Sequence, residues 1–173
     1  VEIAKNQGVS IEEALINVVV ASQGQTSVMT HAINPEHMKY LAMHPASMIV
    51  SDGVGYGDEH TRSSSYVHPR CYGTFPQFLR MVIDREIPLT LEQAIAKISG
   101  NPAGLYGLQK RGIIREGYAA DLTFLNTSSL ASPASFENPL VYPKGIEWVI
   151  MNGKVAVEQG EYVDATNGVI LAQ

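Results

Sequence analysis

Cysteine is almost missing from this sequence. Cys71 is the only one among 173 residues, which excludes an internal disulfide and fits a reducing compartment, the cytoplasm. Basic clusters are missing too, and the net charge is -5, so nothing here forms the electrostatic footprint of a nucleic-acid binder. No apolar run approaches the about 18 residues that a membrane-spanning helix needs. No HxH, HExxH or CxxC offers a familiar metal-ligand spacing, no GxSxG elbow presents a serine, and no glycine-rich loop cradles a phosphate. The opening Val1-Glu2-Ile3-Ala4 has neither an initiator methionine nor the basic and apolar regions of a signal peptide. It reads as the middle of a helix in something longer. Charged residues make up only 17% against 45% apolar, a globular balance.

What is present is a rhythm of elements. Ser10-Ile11-Glu12-Glu13 is a capping box and opens a helix expected to run to about Gly24. "TSVMTHAI", residues 26–33, is a β-branched run that predicts a buried strand. Asn34-Pro35-Glu36 supplies an N-cap, a proline at the first helical position and an acid in the first turn. "ASMIV", residues 46–50, predicts a second strand. Two strands joined by a helix make a parallel, right-handed βαβ unit. After a long polar loop, a helical pattern covers residues 75–86, with Phe78, Leu79, Val82 and Ile83 on one side. Thr90-Leu91-Glu92-Gln93 caps another helix, interrupted at Gly100-Asn101-Pro102. From about Gly112 the pattern turns to short strands, and Asn152-Gly153 between alternating apolar runs is a strong hairpin signal. Residues 128–135 read as a small, polar loop.

In parallel α/β folds, ligands collect at the carboxyl ends of strands. Asp52 follows the second predicted strand, and Gly53 lets the backbone turn away from it. The alternative is an aspartate that merely caps its own turn. His31 sits near the end of the first predicted strand and reads either as a ligand or as a structural histidine. His37 and His44 belong to the second helix, seven residues apart, too far to share one ion comfortably. His60 reads as solvated loop. His68-Pro69-Arg70 places two anion-recognising side chains around a rigid proline; the competing reading is a surface turn with an ordinary salt bridge. Cys71 reads as a small buried thiol.

"SDG", then "HPRCYGTFPQFL", "LTLEQAIAKISGNPAGLYGL", "RGIIREGYAADLTFL" and "NPLVYPKGIEWVIMNGKVAVEQGEY" together resemble the C-terminal part of N-acyl-D-amino-acid deacylases, the D-aminoacylases of the amidohydrolase superfamily. The likeness runs from Val1 to about Tyr162. The last two segments are common to amidohydrolases at large, whereas SDG with HPRxYGTFP is specific to the D-aminoacylase branch.

The resemblance implies an α/β fold. Residues 1–110 would hold the seventh and eighth strands of a TIM-like barrel, and residues 111–173 the C-terminal strands of a small β-sandwich. It implies that Asp52 touches the metal site, as a metal ligand or beside one, and acts as general acid/base. Arg70, with His68 beside it, would hold the substrate's α-carboxylate. The cofactor implied is zinc, which activates water and polarises the scissile carbonyl. The family's other ligands, a cysteine and several histidines, would precede Val1, so this fragment alone would bind no zinc and be inactive. Its partners would be a small N-acyl amino acid and either the missing N-terminal part of the barrel or a second copy of itself. Two other readings stand beside this one. One is a non-catalytic assembly module or one chain of a split enzyme; the other is a cyclic amidase of the dihydroorotase or hydantoinase type.

Overall fold

A computed structural model describes residues 1–26, 28, 30, 32–53, 67–163 and 166–171. The chain divides into two compact units, Val1–Ile33 and Asn34–Gln173. His31, His60 and most of the loop after Asp52 lie outside the described residues.

The first unit contains two helices. Helix α1, Glu2–Gln7, ends at a left-handed Gly8. Helix α2, Ile11–Ala21, begins as the capping signal predicts, with Ser10 Oγ accepting the Glu13 N–H at 3.1 Å. Each helix buries one alanine, Ala4 and Ala14, while Leu15, Ile16 and Val20 stay exposed.

The second unit opens with α3, Pro35–Met43, whose N-cap Asn34 accepts from the Glu36 and His37 N–H groups. Helix α4 spans Arg70–Ile83, starting five residues before the predicted 75. Pro76 lies inside it. A proline there has no N–H for the preceding turn and ordinarily marks a helix start. Here the helix passes through it, and the Thr74 hydroxyl donates to the Arg70 carbonyl at 2.8 Å. Helix α5, Leu91–Ile98, carries the full reciprocal capping box between Thr90 and Gln93. Helix α6, Gly100–Leu105, takes Pro102 within its first turn, where the missing N–H is harmless.

Four antiparallel strands follow in the order β1 Leu122–Leu125, β2 Ile146–Met151, β3 Lys154–Glu158 and β4 Glu161–Tyr162. Asn152 and Gly153 join β2 to β3, both at positive φ (49° and 79°), the geometry that a two-residue hairpin of this hand demands. The turn is tied down from outside, since the Asn152 N–H donates to Asp121 Oδ1 at 2.7 Å and Arg111 donates to Asn152 Oδ1 at 3.1 Å.

Of the two predicted parallel strands, the first falls on residues 26–33, of which 27, 29 and 31 lie outside the described residues; the second requires correction, because 46–50 enters no ladder and the one sheet among the described residues is antiparallel. Residues 47–50 have no regular secondary structure, and within them the Ile49 N–H reaches only the Lys97 carbonyl, at 3.3 Å. The β-branched pattern marks a segment suited to a strand, but a strand exists only where a neighbour presents its own N–H and C=O groups. None of the described residues supplies that neighbour to 46–50.

One core serves the helices and the sheet of this unit. Ala42, Phe78, Leu79, Met81, Val82, Ile87, Ala94 and Leu130 form it, with Leu125 and Ile146 packed against it. The secondary structure changes character near residue 110, but the packing continues across that point. Leu130 comes from the loop read as small and polar, and only 2% of it is exposed. Lys97 is also buried. Its ammonium donates to the His44 carbonyl, the Ser47 carbonyl and Ser47 Oγ at 2.6, 3.0 and 3.1 Å. All three N–H groups of the lysine are thereby used, and the turn after α3 is fastened to α5.

Candidate functional site

Residues 47–51 lead to Asp52, which itself adopts the left-handed conformation with φ 45°. Aspartate is among the few side chains that tolerate this region. The reading of Gly53 as the turning residue is therefore corrected, because the turn is at Asp52. Glycine is required at 53 for a different reason. A Cβ there would lie 2.9 Å from Cys71 Cα and 3.2 Å from its sulfur, closer than atoms pack. The absent side chain lets the end of this segment lie against the first turn of α4. Cys71 is partly buried rather than enclosed.

That close approach joins the two residues singled out in the sequence. Arg70 Nη2 stands 2.8 Å from Asp52 Oδ2, and Arg70 Nε donates to the Asp52 carbonyl at 3.3 Å. The pair is accessible, with 45% of the arginine side chain and 81% of the aspartate side chain exposed. At such exposure an ion pair contributes about 0–1 kcal/mol. Arg70 can exchange this carboxylate for another at little cost.

His68 completes the group. The Arg70 backbone N–H donates to His68 Nδ1 at 3.0 Å, so Nδ1 is the acceptor and the neutral ring carries its proton on Nε2. Burial, and then the charge of Arg70, hold its pKa below the ordinary 6.5. Because the folded value is depressed, the contribution of His68 to stability is fully present above about pH 6.5. It is lost as pH falls through the folded value, where the ring must take a proton and give up the Arg70 hydrogen bond. Denaturant unfolding of the wild-type chain is expected to show stability declining below pH 6.5, and His68→Asn to reduce that slope. An unchanged slope in the variant would assign it to other groups.

The remaining predicted candidates fall elsewhere. His44 caps the end of α3 and receives the Ala46 N–H on Nδ1 at 3.2 Å, a structural role. His37 sits in the first turn of α3. Among the described residues, no group of three His, Cys, Asp or Glu side chains converges as metal ligands do. Asp52, an anionic donor, is engaged by Arg70. These residues do not amount to a zinc site by themselves.

Sequence inspection did not anticipate a wall of the site. Residues 131–144, between β1 and β2, lie against the N-terminal half of α4. The rings of Phe136 and His68 meet edge-on at 5.1 Å, and those of Tyr142 and Tyr72 at 5.2 Å.

This fold and these residues define a class. Residues 55–157 match the Amidohydrolase family, and the chain belongs to it. Within that family it is 38% identical over 130 residues to the N-acyl-D-aspartate deacylase of Alcaligenes xylosoxydans xylosoxydans, covering 75% of this chain and 24% of that protein. A crystal structure of D-aminoacylase superposes with a TM-score of 0.79 at 29% identity, over 96% of this chain and 33% of that one. The N-acyl-D-glutamate deacylase of Bordetella bronchiseptica, solved with zinc and a phosphonate mimic of the tetrahedral intermediate, superposes at 0.73 and 26% identity, over 94% of this chain and 33% of its own. The chain thus spans about a quarter of the curated relative's length and a third of the solved ones.

Proposed function

We propose that this chain supplies the acid/base and the carboxylate anchor of a zinc-dependent hydrolase that cleaves the amide bond of N-acyl-D-amino acids. The observation that carries the reading is the exposed Asp52–Arg70 pair in a chain whose relatives remove acyl groups from D-amino acids. Arg70 presents a planar fork that matches both oxygens of a free carboxylate. In this reading the substrate's α-carboxylate replaces Asp52 on Arg70, and the Nε2–H of His68 offers a further donor. Asp52, released by that exchange, accepts a proton from the attacking water and delivers it to the departing amine nitrogen as the C–N bond breaks. The products are a carboxylate and a D-amino acid.

The longer parts of the reading rest on the same relatives. Residues 1–110 would be the closing portion of a barrel and residues 111–173 the C-terminal strands of its β-sandwich. Zinc ligands would come from polypeptide beyond these residues, joined to them covalently or by association. Arg70 separates this reading from a cyclic amidase of the hydantoinase type, because hydantoins lack a free carboxylate for it to hold. In a zinc-loaded enzyme containing this chain, Arg70→Ala is expected to raise KM for N-acetyl-D-amino acids by about 10- to 100-fold, the worth of a charged hydrogen-bonded contact. Hydantoins should be unaffected. Loss of hydantoin turnover, with N-acyl-D-amino acids untouched, would overturn the proposal.

A further inference from the structure

The connection between β1 and β2 closes on itself before it reaches the site. Ala131 and Lys144 exchange both backbone hydrogen bonds, at 3.2 and 2.9 Å. Leu130, the residue before this closure, is buried in the shared core. The loop is therefore anchored at its base, and its far part is held against the turn that carries His68 and Arg70. Its approach depends on Gly73, where a Cβ would lie 2.4 Å from Ser132 Oγ and 3.7 Å from Ala134 Cβ. Tyr142 meets Tyr72 one turn into the helix, and Phe136 meets His68 at its start with an interplanar angle of 77°.

His68 is consequently constrained twice. The Arg70 N–H fixes which nitrogen accepts. An aromatic edge contact of this kind prefers one ring orientation, which limits rotation of the imidazole about its own bonds. The Arg70 backbone N–H thus sets the tautomer of this neutral ring, and the half-buried Phe136, from a distant part of the sequence, sets its plane.

We infer that Phe136 is a positioning residue, which orients His68 so that its Nε2–H acts with Arg70 on the substrate's carboxylate. This rests on the carboxylate-anchor reading above. Neither the histidine nor the arginine need move for the substrate to bind, so its binding free energy is not spent on ordering them.

The test uses the 173-residue chain labelled at histidine, with the His68 ring signals assigned by their loss in His68→Asn. Phe136→Ala is expected to move the His68 ring resonances, because the aromatic neighbour is removed. In a zinc-loaded enzyme containing this chain it should also raise KM for N-acetyl-D-aspartate by about three- to tenfold, the size of one edge contact. Phe136→Tyr should restore both. Phe136→Leu retains bulk and lacks a ring, so it should reproduce the shift in a chain whose circular dichroism is unchanged. A His68 signal that neither Ala nor Leu moves overturns the inference, whether or not KM rises. A zinc-loaded enzyme containing this chain whose KM for N-acetyl-D-amino acids is unmoved by Arg70→Ala overturns the carboxylate reading, and the contact with Phe136 is then judged on the His68 signal alone.

Discussion

Asp52→Asn, made in a zinc-loaded enzyme containing this chain, is expected to lower kcat for N-acyl-D-amino acids by about 10²- to 10⁴-fold, the usual worth of a general acid/base. KM should not rise. Asparagine keeps the size of the side chain and one acceptor oxygen, but it cannot carry a proton from water to the amine. It also removes the charge that competes for Arg70, so ground-state binding of a carboxylate substrate should hold or tighten. The expected pattern, with kcat lost and KM spared, is the reverse of that for Arg70→Ala. Zinc content measured on both proteins separates a chemical defect from a missing metal. Equal losses in kcat and zinc would assign Asp52 to metal retention rather than proton transfer.

Leu130→Ala should produce the largest loss of stability, about 2–5 kcal/mol. The side chain is 2% exposed and lies in the core with Phe78, Ile87 and Ala94. Truncation removes its transfer free energy and leaves a cavity between helices and sheet, where both walls are fixed by their own hydrogen bonds. Leu105→Ala is the control, because that leucine is 66% exposed and such surface changes usually stay within about 0.5 kcal/mol. Denaturant midpoints on the two variants decide the matter. Equal, small shifts would mean that the loop carrying Leu130 is not part of the core.

The features legible in the sequence are those fixed by neighbours in the chain. Ser10, Asn34 and Thr90 cap helices because a cap involves only the next three residues. Asn152-Gly153 makes its hairpin because both residues accept positive φ. Asp52 and Arg70 were nameable as a pair of chemical groups, and the structure brings them into contact. What failed to show depends on residues far away. A strand at 46–50 needs hydrogen-bonding neighbours, which no local pattern encodes. The apolar periodicity predicts a helix from residue 75, yet α4 begins at Arg70, where the turn packs against Gly53 and the β1–β2 loop. Leu130 is one apolar residue among serines and alanines, so composition hid a core position. Phe136 carried no signal either, since its role follows from meeting a ring 68 positions earlier.

The shared core has a consequence for how this stretch can be inherited or cut. Because Leu125, Leu130 and Ile146 complete a core begun by Phe78 and Ala94, a recombination or proteolytic break near residue 110 would leave each product with an open apolar face. The helices that carry Arg70 and the sheet that follows are then not exchangeable modules. Within Asn34–Gln173 helices and sheet share one interior, so a single cooperative unfolding transition is the expected outcome for both.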